Sequence, residues 1–192
     1  MKKADIGLIG LAVMGENLAM NMESHGFTVA VYNRSTEKVD KFLSGRGAQK
    51  NFIGCRSPEE LIDSLKKPRR IFMMVKAGAA VDALIAQLLP LLDEGDILID
   101  GGNSHYPDTV RRTAQVESRG CLYIGCGVSG GPALDEFVHL VRAAVVDGDG
   151  EAVRLHIHRQ IFAHDGEADQ TDICFFHNHS PYRLPPRGKL SA

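Results

Sequence analysis

The chain has 192 residues, with 22 Lys and Arg against 24 Asp and Glu and a formal net charge of -2. That length supports one domain with a full core, or one domain plus an appendage, and the near balance of charge excludes the electrostatic footprint of a nucleic-acid-binding protein. No stretch reaches the about 20 apolar residues of a membrane span, because Asp82, Gln87 and Pro90 interrupt the one long hydrophobic region.

Ile6, Leu8 and Ile9 form a short apolar run that stops at Gly10, the pattern of a buried parallel strand. Gly10, Leu11, Ala12, Val13, Met14 and Gly15 follow as G-x-A-x-x-G, a dinucleotide fingerprint. Gly10 permits the tight turn, small Ala12 lets the backbone approach a pyrophosphate, and Gly15 lets the next helix pack closely on the strand. That helix, expected from about Met14 to Ser24, offers free N–H groups and a partial positive charge to the phosphates. Leu18 and Met22 lie on its buried face, and His25-Gly26 ends it.

Val29 to Tyr32 is the next strand. An NAD enzyme ordinarily carries Asp or Glu at the tip of this strand to bind the adenosine ribose. Asn33 occupies that tip, followed by Arg34, Ser35 and Thr36. A carboxylate would repel a 2′-phosphate, whereas the Arg34 guanidinium can grip one, with further donors from Ser35, Thr36 and Lys38. The expected cofactor is therefore NADP. The competing reading is a phosphate-free doubly wound domain whose glycines serve only the turn.

Thr36 to Ser44 reads as a helix that breaks at Gly45-Arg46-Gly47. Ser57-Pro58-Glu59-Glu60 opens another, with a serine cap, a proline in the first turn and two carboxylates near the positive end, running to about Leu65. The basic run from Lys66 to Arg70 reads as a solvated loop before a third strand, Ile71 to Val75, and the loop Lys76-Ala77-Gly78. Val81, Leu84, Ile85, Leu88 and Leu89 recur with helical spacing, so that helix covers the sheet. Asp96 to Asp100 is a fourth strand, ending in Gly101-Gly102-Asn103-Ser104. A helix from Thr109 to Arg119 then leads to a fifth strand, Cys121 to Ile124, and to Gly127-Val128-Ser129-Gly130-Gly131.

This alternation makes the fold class α/β: a doubly wound, Rossmann-type, mostly parallel sheet over residues 1 to 131, with an irregular appendage over 132 to 192. The loops at the strand ends should converge beside the cofactor. Cys55, Cys121, Cys126 and Cys174 lack paired spacing and fit a reducing, cytoplasmic compartment. The N-terminus, charged ahead of a short strand, does not resemble a signal peptide.

Four motifs in order, IGLIGLAVMGENLAMNMESHGFTVAVYNRS, FMMVKAG, LIDGGNSHYPDT and GVSGG, give residues 1 to 131 a specific resemblance to the 6-phosphogluconate dehydrogenases of the pentose phosphate pathway. Related hydroxyacid dehydrogenases share the first motif, but Asp100-Gly101-Gly102-Asn103-Ser104 and its sequel point to the sugar-acid enzymes. The resemblance implies NADP-linked oxidation of 6-phosphogluconate at C3, loss of CO2 from the 3-keto acid, and protonation of the enediol to ribulose 5-phosphate. It places Val75, Lys76 and Ala77 along the cofactor and Asn103 between nicotinamide and substrate. Ser129, Gly130 and Gly131 would contact the sugar acid, whose carboxylate suits the backbone N–H groups of a glycine loop. It also implies a homodimer built through a long helical domain.

After GVSGG the family continues to a lysine that acts as acid and base, followed four residues later by an asparagine. This chain instead reads Pro132-Ala133-Leu134-Asp135-Glu136 onward; the tail's only lysine is Lys189, and Asn178 follows Cys174 at that spacing. The catalytic residue is therefore unknown, and the dimerising domain has no counterpart in the tail. The expectation is an NADP-binding portion that is inactive alone. The alternatives are a non-catalytic NADP-binding module and an unstable product of a reading frame altered near residue 131. Asp147-Gly148-Asp149-Gly150 reads as a hairpin turn, and Pro181, Pro185 and Pro186 point to a disordered end. His156, His158, His164, His177 and His179 with Cys174 match no zinc spacing, so no metal is expected.

Overall fold

The computed structural model describes residues 2–126 and the backbone of Phe176–His177. Short apolar segments bounded by turns form the strands: β1 Ile6–Ile9, β2 Val29–Tyr32, β3 Phe52–Cys55, β4 Arg70–Met73, β5 Ile97–Asp100, β6 Leu122–Cys126 and β7 Phe176–His177. Between them run α1 Val13–Ser24, α2 Thr36–Ser44, α3 Pro58–Ser64, α4 Ala79–Leu88 and α5 Tyr106–Glu117. The sheet order is β3-β2-β1-β4-β5-β6-β7. The first six strands are parallel, and β7 pairs antiparallel with β6, His177 opposite Gly125 and Phe176 opposite Cys126. The order reverses between β1 and β4, the switch point where doubly wound sheets open a crevice at their C-terminal edge.

Alternation along the strands divides the core into two layers. Ile6 and Leu8 of β1, Val29 and Val31 of β2, and Ile97 and Ile99 of β5 meet Leu18 and Met22 of α1 and Val39 and Phe42 of α2. On the other face Ile9, Ala30, Ile71, Met73, Leu98 and Tyr123 meet α3 through Leu61 and Ile62, α4 through Val81, Leu84, Ile85 and Leu88, and α5 through Val116. Helices thus cover both faces, as the alternation of the sequence requires.

The structure departs from the sequence reading at several points. Phe52–Cys55 is a strand, the outermost of the parallel set, paired only with β2. Its Phe52 and Ile53 are half-buried and Gly54 is exposed, so it lacks the continuous apolar run of an inner strand. The third predicted strand ends at Met73, which leaves Val75 in the following loop, and α5 begins at Tyr106, ahead of Thr109.

The basic run is only partly a solvated loop. Arg69 and Arg70 are buried. The Arg69 guanidinium donates to Asp93 and Asp96 at 2.7 Å each, and its backbone N–H donates to Asp96 at 2.6 Å. These bonds fasten the start of β4 to the start of β5. Ser57 caps α3 as expected, its hydroxyl accepting from the Glu60 N–H at 3.2 Å. The predicted hairpin turn and the tail histidines lie outside the described residues, apart from the backbone of His177.

Candidate functional site

The turn between β1 and α1 is built around two missing side chains. Gly10 has φ +105°, and a Cβ there would stand 2.2 Å from the Met74 carbonyl oxygen. A Cβ on Gly15 would stand 1.9 Å from the Gly10 oxygen, so α1 can approach the turn only because Gly15 is bare. The N-cap of α1 is Ala12, which offers no side-chain acceptor to the first turn. Its N–H groups are thereby left for an external acceptor such as a phosphate. Ala12 and Val13 are exposed beside them, Val13 at 74%.

Asn33, at the tip of β2, accepts a hydrogen bond from the Leu11 N–H at 3.0 Å and donates to the Ser35 carbonyl at 3.1 Å. Its amide joins the fingerprint turn to the start of α2, a bracing role beyond the ligand contact expected from sequence. Arg34 is exposed beside it. The Ser35 hydroxyl donates to Glu37 Oε2 at 2.5 Å.

The loops after β4 and β5 meet. A Cβ on Gly102 would lie 2.7 Å from the Val75 oxygen and 3.5 Å from the Ala77 nitrogen. Gly101 is wedged against Phe72 and Met74, its notional Cβ 2.2 Å and 2.7 Å from their side chains. Asn103 follows, exposed, in the left-handed region with φ 56°, which Asn tolerates better than most residues. Gly10–Gly15, Asn33–Thr36, Val75–Ala77 and Asn103 therefore all lie at or just beyond the C-terminal ends of β1, β2, β4 and β5. Ser129, Gly130 and Gly131 lie outside the described residues.

Beneath these loops is a buried polar network that the sequence reading missed. Asp100, at the end of β5, accepts from the Gly102 N–H at 2.9 Å, the Ser104 hydroxyl at 2.6 Å and the Tyr123 hydroxyl at 2.7 Å. Arg112 of α5, its side chain fully buried, reaches Asp100 at 3.5 Å and Ser104 at 2.9 Å through Nη1. It donates to the Gly78 carbonyl at 3.0 Å through Nη2, and to Asp82 of α4 at 2.9 and 3.1 Å through Nε and Nη2. One guanidinium thus holds the loop after β4 and the loop after β5 that carries Asn103. The sequence does carry a signal for it: Thr109, Arg112, Thr113 and Val116, the buried residues of α5, have the spacing of one helix face.

Hydrogen bonds from Arg112 and then Arg111 pull the Asp82 carboxyl from 3.8 down to about 2, and burial pushes the Tyr123 phenol up. Because Asp82 binds its proton more weakly when folded, its contribution to stability is present above pH 3.8 and is lost as pH falls toward about 2. Asp82→Asn is therefore expected to flatten the decline in stability over that interval, as followed by acid unfolding with circular dichroism. An unchanged acid limb would show that the ion pair has no such role.

Among the described residues, no group of three or more His, Cys, Asp or Glu could hold a metal ion, and no helix is long and apolar enough to cross a membrane.

Comparison with known proteins agrees with this geometry. Residues 5–163 match the family described as "NAD binding domain of 6-phosphogluconate dehydrogenase", past the Gly131 at which the motif resemblance stops. The chain is 65% identical over 129 residues to a decarboxylating 6-phosphogluconate dehydrogenase of Dictyostelium discoideum, covering 67% of this chain and 26% of that protein. It is 61% identical over 128 residues to the enzyme of that name from Cunninghamella elegans, with the same coverages of 67% and 26%. It therefore spans about a quarter of the length of these relatives. Among solved structures it resembles Plasmodium falciparum 6-phosphogluconate dehydrogenase, described in apo form and in complexes with its cofactor NADP+ and its substrate 6-phosphogluconate. The TM-score is 0.64 at 33% identity, over 82% of this chain and 40% of that one.

Proposed function

The chain belongs to the family of the NAD binding domain of 6-phosphogluconate dehydrogenase, and from that premise we propose that residues 1 to 131 are the NADP-binding portion of such an enzyme. The reaction served is oxidative decarboxylation of 6-phosphogluconate to ribulose 5-phosphate. The observation that carries the cofactor assignment is the tip of β2, where Asn33, in place of a ribose-binding carboxylate, is tied to the fingerprint turn and the Arg34 cation stands exposed beside it.

In this reading the bare Gly10–Gly15 turn and the first-turn N–H groups of α1 hold the pyrophosphate. Arg34, Ser35 and Thr36 hold the 2′-phosphate. Val75, Lys76 and Ala77 line the nicotinamide half, and Asn103 stands between it and the sugar acid, which Ser129, Gly130 and Gly131 contact. The bound cofactor would supply hydride acceptance. The chain's own described residues bind and orient; by motif, none is assigned the C3 hydroxyl proton, so binding without turnover is expected. Buried thiols at Cys55 and Cys121, neither in a disulfide, support a cytoplasmic, reducing setting.

Fluorescence titration tests this reading. NADPH is expected to bind saturably and more tightly than NADH. Arg34→Ala should weaken NADPH about ten- to a hundredfold, the worth of a charge-assisted bond of roughly 1.5–3 kcal/mol, and leave NADH within about twofold. Equal affinity for the two nucleotides, or no binding by the folded chain, would overturn the assignment. Robust oxidation of 6-phosphogluconate that tracked the purified chain would overturn the expectation of binding without turnover.

A further inference from the structure

The two serine N-caps among the described residues behave differently. Ser57 accepts from the Glu60 N–H at the start of α3, the ordinary capping bond. Ser35, in the same position on α2, makes no capping bond and instead spends its hydroxyl proton on Glu37 Oε2 at 2.5 Å. The Ser35 hydroxyl and Glu37's own backbone N–H both hold that carboxyl below its usual range, so it is ionised at neutral pH. The side chain folds back over the start of its own helix and fills, with a resident anion, donors that a phosphate would take.

We propose that Glu37 is a specificity-determining residue, its carboxylate an internal competitor of the nucleotide 2′-phosphate for the Ser35 hydroxyl and the first-turn N–H of α2. The inference rests on the nucleotide-binding reading above and concerns how that site divides NADPH from NADH. A serine hydroxyl has one proton to give, and both an ionised carboxylate and a phosphate dianion only accept. The Ser35 proton therefore cannot serve Glu37 and the 2′-phosphate together, and binding the phosphate there must break the Ser35–Glu37 bond.

If Glu37 stays beside the same hydroxyl, two oxygens that each lie within hydrogen-bond distance of it are no more than about 6 Å apart. Like unit charges at that range repel by roughly a three- to fourfold factor in affinity even in water. NADH carries a bare 2′-hydroxyl, which can donate to a carboxylate, and incurs neither cost. Arg34 and Lys38, both exposed, supply the attraction at this rim, and Glu37 opposes it. The consequence is a narrower preference for NADPH than the Asn33-Arg34 tip alone would give.

The test is a set of nucleotide titrations on the full chain and on Glu37→Gln, Glu37→Ala and Ser35→Ala variants, with circular dichroism to verify folding. Glu37 is exposed, so its replacement leaves the core intact. Glu37→Gln is expected to tighten NADPH about three- to tenfold and Glu37→Ala by at least as much, with NADH within twofold for both. The gain should shrink as salt rises, because the opposing charges are solvent-exposed. In a Ser35→Ala background the gain from Glu37→Ala should be smaller, since only repulsion is then relieved. NADPH affinity unchanged within twofold, or an equal shift for both nucleotides, would overturn the role of Glu37 while leaving the nucleotide site standing. Failure of the parent chain and every variant to bind either nucleotide would overturn the site reading and this inference with it.

Discussion

Replacing Arg112 with alanine is expected to destabilise the folded chain by about 3–5 kcal/mol, the range for removing one partner of a buried ion pair. The side chain is fully buried and its partners come from three elements: Asp100 and Ser104 at the end of β5, Gly78 before α4, and Asp82 on α4. The loss is concentrated at Asp100, itself buried, which would keep the Gly102 N–H and the Ser104 and Tyr123 hydroxyls as donors but no cation. Those three neutral donors place the effect nearer the low end of the range. Arg112→Lys should recover only part of it, because an ammonium keeps the charge but cannot span the separate directions of the guanidinium fork. Urea unfolding followed by circular dichroism would read the effect as a drop in midpoint at constant slope. A drop worth less than about 1 kcal/mol would show that Arg112 is not the member on which the network depends. The same bonds hold the Gly78 and Ser104 loops, so amide exchange there should quicken well beyond the change in global stability.

The polar network shows where the sequence was legible and where it was not. Continuous apolar runs such as Ile6–Ile9, Ile71–Met73 and Ile97–Ile99 announce inner strands because both of their faces are covered by helices. Gly10 and Gly15 announce the tight turn between β1 and α1 because only a bare backbone fits their positions. Phe52–Cys55 carries no such mark, since an edge strand with one neighbour needs little apolar surface. Arg112 is hidden by its chain neighbour: Arg111 and Arg112 form a basic pair that resembles a solvated helix face, yet consecutive helical residues point about 100° apart. Arg111 is exposed, with Asp82 and Asp108 as partners, while Arg112 faces the core. Its burial depends on Asp100 and Tyr123, which are 12 and 11 positions away and which only the β5–β6 pairing brings near. Composition reads the charges singly, whereas their roles are set by partners far along the chain. Glu37 is a milder case: the sequence raises the expectation that Arg34 and Ser35 meet a phosphate, but the direction of a hydroxyl proton emerges only with the geometry.

Gly10→Ala is expected to be severely damaging to the turn between β1 and α1, and Gly26→Ala provides the control that says why. Both glycines lie in the left-handed region, Gly10 at φ +105° and Gly26 at φ +91°. Alanine at either should incur a backbone cost of about 1–2 kcal/mol. Around Gly26 a Cβ would meet nothing within 4 Å, so that cost should be the whole effect. At Gly10 the Cβ would stand 2.2 Å from the Met74 oxygen, a backbone atom that no rotamer change can move. Nor can the strand retreat freely, because the Met74 N–H is bonded to the Ile9 carbonyl at 2.8 Å, within the pairing of β1 and β4. Overpacking of this kind adds about 1–3 kcal/mol, so Gly10→Ala should lose roughly 2–5 kcal/mol in all. Any relief must come from separating the turn from β4, which also moves the Ala12 end of α1 where the phosphates would sit. Under conditions where both variants remain folded, Gly26→Ala should retain saturable NADPH binding and Gly10→Ala should lose it. Equal stability of the two variants would mean that the close approach of Gly10 to Met74 does not govern the turn, and retained NADPH affinity in Gly10→Ala would move the pyrophosphate away from it.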